Sequence, residues 1–357
     1  MQSLERIQLN FANSLRSEQT RLKYEYGLKK FLLFNKISID KFLSLPIADI
    51  ENMMIDYIID LKKQGLSTSY IKMILASIKH LCVMNDVVIN VKKIGKFIGE
   101  STKLQEDRPY THEEILQLLN VCDLRMKAVI LLLASTGIRI GALPTLRVRD
   151  VDVDATRNWV TVYSDSKDKY ITFMTPECSK AITEYLNFRK RSGEKLTPDS
   201  PLIREQFDIT DQESIRKNSR FVSRDAYSSI VRHALIKSGL RVVNHNYGGR
   251  HRHKITAADG FRKFFTNQLI QADVKTEIRW LLEGHDLKGN DRYYVRLTEQ
   301  KLYEEYQKAV DLLTIDPSNL LKQRVDELEK KEDQLRNVLD RLNEMDKQFK
   351  AAMAAKA

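Results

Sequence analysis

Through residues 8–98 the apolar positions recur at helical spacing. Thr20, Tyr24, Leu28, Phe31 and Leu32 share one face, and Ile50, Met53, Met54, Tyr57, Ile58 and Leu61 mark a second helix more cleanly. Gly65 stops that helix. Ser67 caps a third, whose buried stripe is Tyr70, Ile71, Ile74, Leu75, Ile78 and Leu81. The stretch 8–98 is therefore expected to be a helical domain. The polar run 99-GESTKLQEDRPY-110 contains Pro109 and reads as a linker. A capping box, Thr111 to Glu114, opens the next helix.

The pattern then becomes mixed, and residues 111–315 are expected to form a second domain. The helix 124-LRMKAVILLLAST-136 ends at Gly137. Strand-like alternation follows at Val151 and Val153, at Trp159-Val160-Thr161-Val162-Tyr163 and at Tyr170-Ile171-Thr172-Phe173-Met174. The charged turn 164-SDSKDK-169 joins the last two into a β-hairpin. Helices are predicted from about residues 176, 223, 256, 274 and 298, and 205–222 reads as a long loop. The fold class is thus mainly α with a small β-sheet, an α+β chain. From Leu321 a heptad seam runs through Val325, Leu328, Leu335, Leu339 and Leu342, with Glu332 at one seam position. It predicts a coiled coil or an amphipathic partner helix over residues 320–350.

Charge narrows the partner. The net charge of +11 and pI of about 9.3 point to a polyanion. In the helical block Lys62, Lys63, Lys72, Lys79, Lys92, Lys93 and Lys96 lie on polar faces. Such a face is solvated in any protein, and it also suits a phosphate backbone. Cys82, Cys122 and Cys178 are far apart and lack metal-ligand spacing, as expected of reduced thiols in a cytoplasmic protein. The apolar run 129-VILLLA-134 is too short for a membrane span. There is no Walker loop, no convincing metal-binding His cluster and no Gly-x-Ser-x-Gly.

Two arginines are out of place. Arg139 lies in 136-TGIRIGAL-143 between Ile138 and Ile140, where Gly137 and Gly141 leave the backbone accessible. Arg262 lies in 258-ADGFRKFFTNQLI-270 beside Phe261, Phe264 and Phe265. A buried guanidinium is costly unless an anion pairs with it. A structural Asp or Glu would account for either arginine alone. A third stretch, 284-GHDLKGNDRYYVRL-297, sets His285 ahead of Tyr293 and Tyr294, which Arg292 and Arg296 flank. Phosphodiester cleavage without a metal needs a nucleophile, donors for the non-bridging oxygens and an acid for the leaving oxygen.

In these boxes the chain resembles the tyrosine recombinases, or phage integrases, and is most like those of archaeal mobile elements. The family's Thr-Gly-x-Arg box matches Thr136-Gly137-Ile138-Arg139, and its Leu-x-Gly-His box matches Leu282-Glu283-Gly284-His285. The family's nucleophile lies nine residues beyond that histidine, at Tyr294 here. Its hairpin lysine corresponds to Lys167 or Lys169, and its second arginine to Arg262, which Lys263 follows as a candidate DNA contact. The resemblance implies a helical core-binding domain and a catalytic domain that form a C-shaped clamp on double-stranded DNA. It implies attack by Tyr294 to form a 3′-phosphotyrosyl bond and release a 5′-hydroxyl. Arg139 and Arg262 would hold the non-bridging oxygens, Lys167 or Lys169 would protonate the leaving oxygen, and His285 would bond the phosphate or the phenol. No metal or other cofactor is implied, and the family works as a tetramer on paired sites. One departure stands out: Asp259 occupies the family's His-x-x-Arg histidine position, with His251 and His253 nearby but differently spaced. Two other readings share the same residues. One is a type IB topoisomerase that religates the original strand, and the other is a DNA-binding architectural protein with a decayed site.

Overall fold

Helix starts are encoded locally. The side chains of Ser67, Asn90, Thr111, Asp123, Thr175, Ser223 and Thr298 each accept a hydrogen bond from the backbone N–H three residues on. At Thr111 the reciprocal bond from the cap backbone to Glu114 completes the expected capping box. The computed structural model describes residues 4–15, 17–100, 107–153, 158–216, 219–242, 255–286 and 297–318. It also describes the helical positions Leu321, Val325, Leu328, Glu332, Leu335, Arg336, Leu339, Arg341 and Leu342. Tyr293, Tyr294, Arg292, Arg296, His251 and His253 lie outside the described residues. So do most of the 101–110 half of the proposed linker and much of 320–350.

The chain divides into two compact units, Met1–Leu104 and Gln105–Ala357. The first is helical: α1 (Leu4–Asn13), α2 (Glu18–Asn35), α3 (Ile39–Leu43), α4 (Ile47–Lys63), α5 (Thr68–Met84) and α6 (Val91–Ile98). Its core is the stripe read from α4 and α5, joined by Phe31 and Phe42, which meet edge to face at 5.1 Å.

The second unit holds α7 (His112–Asn120), α8 (Leu124–Thr136), β1 (Trp159–Val162), β2 (Tyr170–Phe173), α9 (Pro176–Arg191), α10 (Gln212–Arg216), α11 (Arg224–Lys237), α12 (Asp259–Gln271), α13 (Thr276–Leu282), α14 (Glu299–Gln307) and α15 (Val310–Leu313). Helix α8 is buried along its last nine residues, from Ala128 to Thr136, and packs against both α9 and α12. β1 and β2 form an antiparallel pair in the register Trp159 to Phe173 and Val162 to Tyr170. Val151, expected in a strand, makes only an isolated bridge to Val160, and a 3₁₀ turn occupies Val148–Asp150. Within the expected loop 205–222 the short helix α10 interrupts the irregular chain. Among the described residues no helix is long and apolar enough to cross a membrane.

On α12 the three phenylalanines settle the orientation. Phe261, Phe264 and Phe265 are fully buried, and burying each contributes roughly 1.5–3 kcal/mol. That face must point into the core, with Phe261 stacked on Tyr110 at 4.3 Å. The neighbouring flank, which carries Arg262 and Thr266 one turn apart, then turns toward the end of α13.

Candidate active site

Two left-handed glycines build the site. Gly137 ends α8 with φ 59°, and its N–H bonds back to the Leu133 carbonyl. Gly284 follows α13 with φ 65°, where Gly284 N–H bonds Leu281 O and His285 N–H bonds Trp280 O, the paired pattern of a Schellman stop. A β-carbon would be strained at both positions. It would also collide with Phe265 at Gly137 and with the Tyr170 ring at Gly284. Each turn therefore brings backbone close to a neighbour and hands the chain straight on to a charged or polar side chain, Arg139 or His285.

The arginines are held by carbonyl oxygens. Arg262 Nη1 donates to Gly137 O at 2.6 Å, and its Nη2 donates to Glu283 O at 2.8 Å. Arg139 Nη1 donates to Gly284 O at 3.3 Å. Arg262 Nη2 also lies 2.9 Å from His285 Nε2. A guanidinium only donates, so this imidazole nitrogen accepts, and the neutral ring carries its proton on Nδ1. Burial and the adjacent Arg262 charge push the His285 pKa below its usual value. Burial pulls Arg262 down as well, against the charge of Glu283 and, more weakly, of Asp259.

A cleft of about 860 Å³ opens beside this cluster. Arg139 and His285 line it, together with Lys167, Asp168 and Lys169 of the hairpin turn and Tyr170 at the start of β2. Both lysines are exposed. Burial pushes the Tyr170 phenol up to about 12, and its hydroxyl is buried with no hydrogen-bond partner among the described residues.

The structure thus brings Arg139, Arg262, His285, Lys167 and Lys169 to one region. Tyr294 lies outside the described residues. Asp259 is the exposed first residue of α12, and among the described residues it accepts no hydrogen bond from Arg262 or Arg139. Arg262 is held instead by two carbonyls and a histidine. Lys263, read as a DNA contact, pairs with Asp107 at 2.6 Å. Lys93 sits 2.8 Å from the buried carboxylate of Glu51, which would otherwise be an unpaired charge. Burial lowers the Lys79 pKa, whereas Lys72 and Lys92 are exposed.

Sequence reasoning missed Glu283 and Tyr170. Each belongs to a motif already singled out, the Leu-x-Gly-His box and the hairpin, but nothing in the one-dimensional pattern marks Glu283 as buried or the Tyr170 hydroxyl as enclosed beside the arginines. It also missed Arg189, wholly buried and paired in a fork with Glu194 at 2.6 and 2.9 Å, with Arg204 on the same carboxylate at 3.0 Å. That trio is structural: Arg189 also donates to the carbonyls of Pro201 and Leu202.

Arg139 and His285 at the wall of a lysine-bearing cleft, with Arg262 behind the imidazole, suit an enzyme that handles a phosphodiester. Comparison with known proteins narrows the class. The model of the phage integrase family matches residues 109–301, more than half of the chain. Tyrosine recombinase XerA of Pyrococcus furiosus is 22% identical over 306 residues, covering 83% of this chain and 95% of that protein. Among solved structures, a lambda integrase tetramer bound to a Holliday junction superposes with a TM-score of 0.54 at 15% identity, covering 83% of this chain and 78% of that one. The Tn1549 transposon integrase in complex with transposon right end DNA gives 0.52 at 15% identity, covering 85% and 98%. The chain belongs to the phage integrase family and is a tyrosine site-specific recombinase.

Proposed function

We propose that this recombinase cuts and rejoins duplex DNA through Tyr294, in the service of integrating or excising a mobile element. The phenol oxygen attacks the scissile phosphorus, a 3′-phosphotyrosyl bond forms, and the bond to the 5′-oxygen breaks. A hydroxyl of a second strand then reverses the step. The protein–DNA bond conserves the phosphodiester, so the exchange is balanced without an added energy source. Arg139 and Arg262 bind the non-bridging oxygens, a task suited to the planar guanidinium fork. Lys167 or Lys169 gives its proton to the leaving 5′-oxygen, and His285 bonds the phosphate or the attacking phenol.

The observation that carries this reading is the convergence of Arg262 on His285 at 2.9 Å beside the Arg139 turn, with both hairpin lysines lining the same cleft. The cationic helical unit, with Lys72 and Lys92 exposed, supports a grip on the DNA backbone. Both integrase structures cited above were solved with DNA, one of them as a tetramer. This supports assembly of several copies of the present chain on paired sites, in the compartment that holds the chromosome. The test is to trap a covalent adduct on a duplex nicked near the element's end. An adduct lost in Tyr294→Phe supports the proposal, and its absence from the unmodified protein overturns it. Asp259 stands where the family has a histidine, and the same assay reads what that departure does to cleavage.

A further inference from the structure

Glu283 is 3% exposed and lies within reach of three polar groups of the site. Its Oε1 accepts from Thr266 Oγ1 at 2.7 Å. Its Oε2 stands 3.5 Å from Arg262 Nη2 and 3.6 Å from His285 Nδ1. Its backbone carbonyl accepts from the same Arg262 nitrogen. One residue thus engages the guanidinium twice, faces the proton-bearing nitrogen of the imidazole, and is itself fixed by a hydroxyl from the next turn of α12. A buried carboxylate with fewer partners would be costly.

We propose that Glu283 is a positioning residue for strand cleavage. Its carboxylate holds Arg262 and His285 in register with one another. It also keeps the His285 proton on Nδ1, so that Nε2, which accepts from Arg262 here, is the basic nitrogen of the ring. A carboxylate behind an imidazole fixes its tautomer and stabilises the imidazolium that forms when the ring takes a proton. The charge also answers a local problem, since Arg262 from α12 and Arg139 from the turn after α8 both disfavour a second positive charge on His285. Tyr170 of β2 and Lys167 and Lys169 of the hairpin turn line the same cleft and supply no anion; Asp168 and Asp286 line it as well but face solvent. The catalytic consequence rests on the function proposed above, while the link between Glu283 and His285 does not.

The experiment uses the full chain with Glu283→Gln, which keeps the size and the acceptor oxygen, and Glu283→Asp, which keeps the charge. First, the His285 ring is titrated by NMR in histidine-labelled, DNA-free protein, with its signal assigned by loss in His285→Gln. The expected result is a midpoint shifted to lower pH in Glu283→Gln and partly restored in Glu283→Asp. Second, adduct formation on the nicked duplex is followed against pH. Glu283→Gln should lower the rate roughly ten-fold or more, the scale of one hydrogen bond to a charged group, with DNA affinity kept and the inflection moved the same way as the midpoint. An unchanged His285 midpoint in Glu283→Gln overturns the proposal even if activity falls, since a purely structural role explains that outcome. Loss of folding in both variants overturns it too. If the unmodified protein forms no adduct but the midpoint still shifts, the proposed reaction fails while the Glu283–His285 link stands.

Discussion

Arg262 Nη1 donates to the carbonyl oxygen of Gly137 at 2.6 Å, so the turn that delivers the first arginine also buttresses the second. The reciprocal bond runs from Arg139 to the carbonyl of Gly284, the turn that delivers His285. Three sequence boxes, the first more than a hundred residues before the other two, are closed into one unit by backbone acceptors.

That closure depends on two positive φ angles, and a β-carbon should break it. Gly284→Ala is expected to cost about 1–3 kcal/mol from backbone strain alone, with a further cost from the Tyr170 ring. Gly137→Ala should behave alike against Phe265. Thermal unfolding measures the loss. Denaturation curves that match the unmodified protein would mean the turns are not held as described.

Tyr294→Phe should abolish the covalent adduct while leaving DNA affinity nearly intact, because the hydroxyl carries no charge to the phosphate. Tyr293→Phe should be mild. Adduct trapping alongside gel-shift titration distinguishes the two tyrosines, and the reverse pattern would place the nucleophile one residue earlier.

Asp259→His should speed adduct formation. The aspartate does not pair with either arginine among the described residues, but its charge stands at the start of α12, near Arg262, and repels an incoming phosphate. A ten-fold gain corresponds to about 1.4 kcal/mol of barrier. Asp259→Asn should recover part of the gain. Slower cleavage by the histidine variant in single-turnover assays would assign the aspartate a positive role.

Acid should destabilise the second unit through Glu194. Burial raises this carboxyl's pKa, but the hydrogen bonds and charge of Arg189, followed by those of Arg204, outweigh burial and hold it below the usual 4.5. A depressed carboxyl stabilises the fold above its unfolded pKa, and that contribution disappears as pH falls through the folded value. Chemical denaturation at a series of pH values should show stability dropping below about pH 4.5, with a smaller drop in Glu194→Gln. The variant should be less stable at neutral pH, by roughly 3–5 kcal/mol, because Arg189 keeps its charge with no exposure.

Removing residues 320–357 should weaken association between copies more than binding to a single DNA site. Leu321, Val325, Leu328, Leu335, Leu339 and Leu342 are helical and each more than half exposed, an apolar seam unburied in one chain. Light scattering of full-length and shortened protein on DNA reads the difference, and equal assembly of both would remove the seam from the oligomer.

Legibility in the sequence followed the range of each interaction. Ser67, Thr111 and Gly137 could be read because a cap or a left-handed stop involves residues within one turn. The hairpin was accessible for the same reason, although its strands are each one residue shorter than the alternation suggested. Arg139 and Arg262 stood out as charges among apolar neighbours, but their acceptors did not, since every peptide has a carbonyl and only the fold selects one. Glu283 looked like any helix-end glutamate, and its burial depends on Thr266 and Arg262 arriving from another helix. Val151 alternated like a strand residue, yet with only Val160 opposite it the ladder stopped at a single bridge.

Anchoring the arginines on main-chain oxygens has an evolutionary side. Substitution changes a side chain and leaves the carbonyl in place, so no mutation at position 137 or 284 can delete the acceptor; it can only distort the turn. The placement of the two arginines is consequently buffered against genetic drift, while groups held by side chains alone are open to it. The residue at position 259 can change without moving either guanidinium group, since neither depends on it for a hydrogen bond among the described residues.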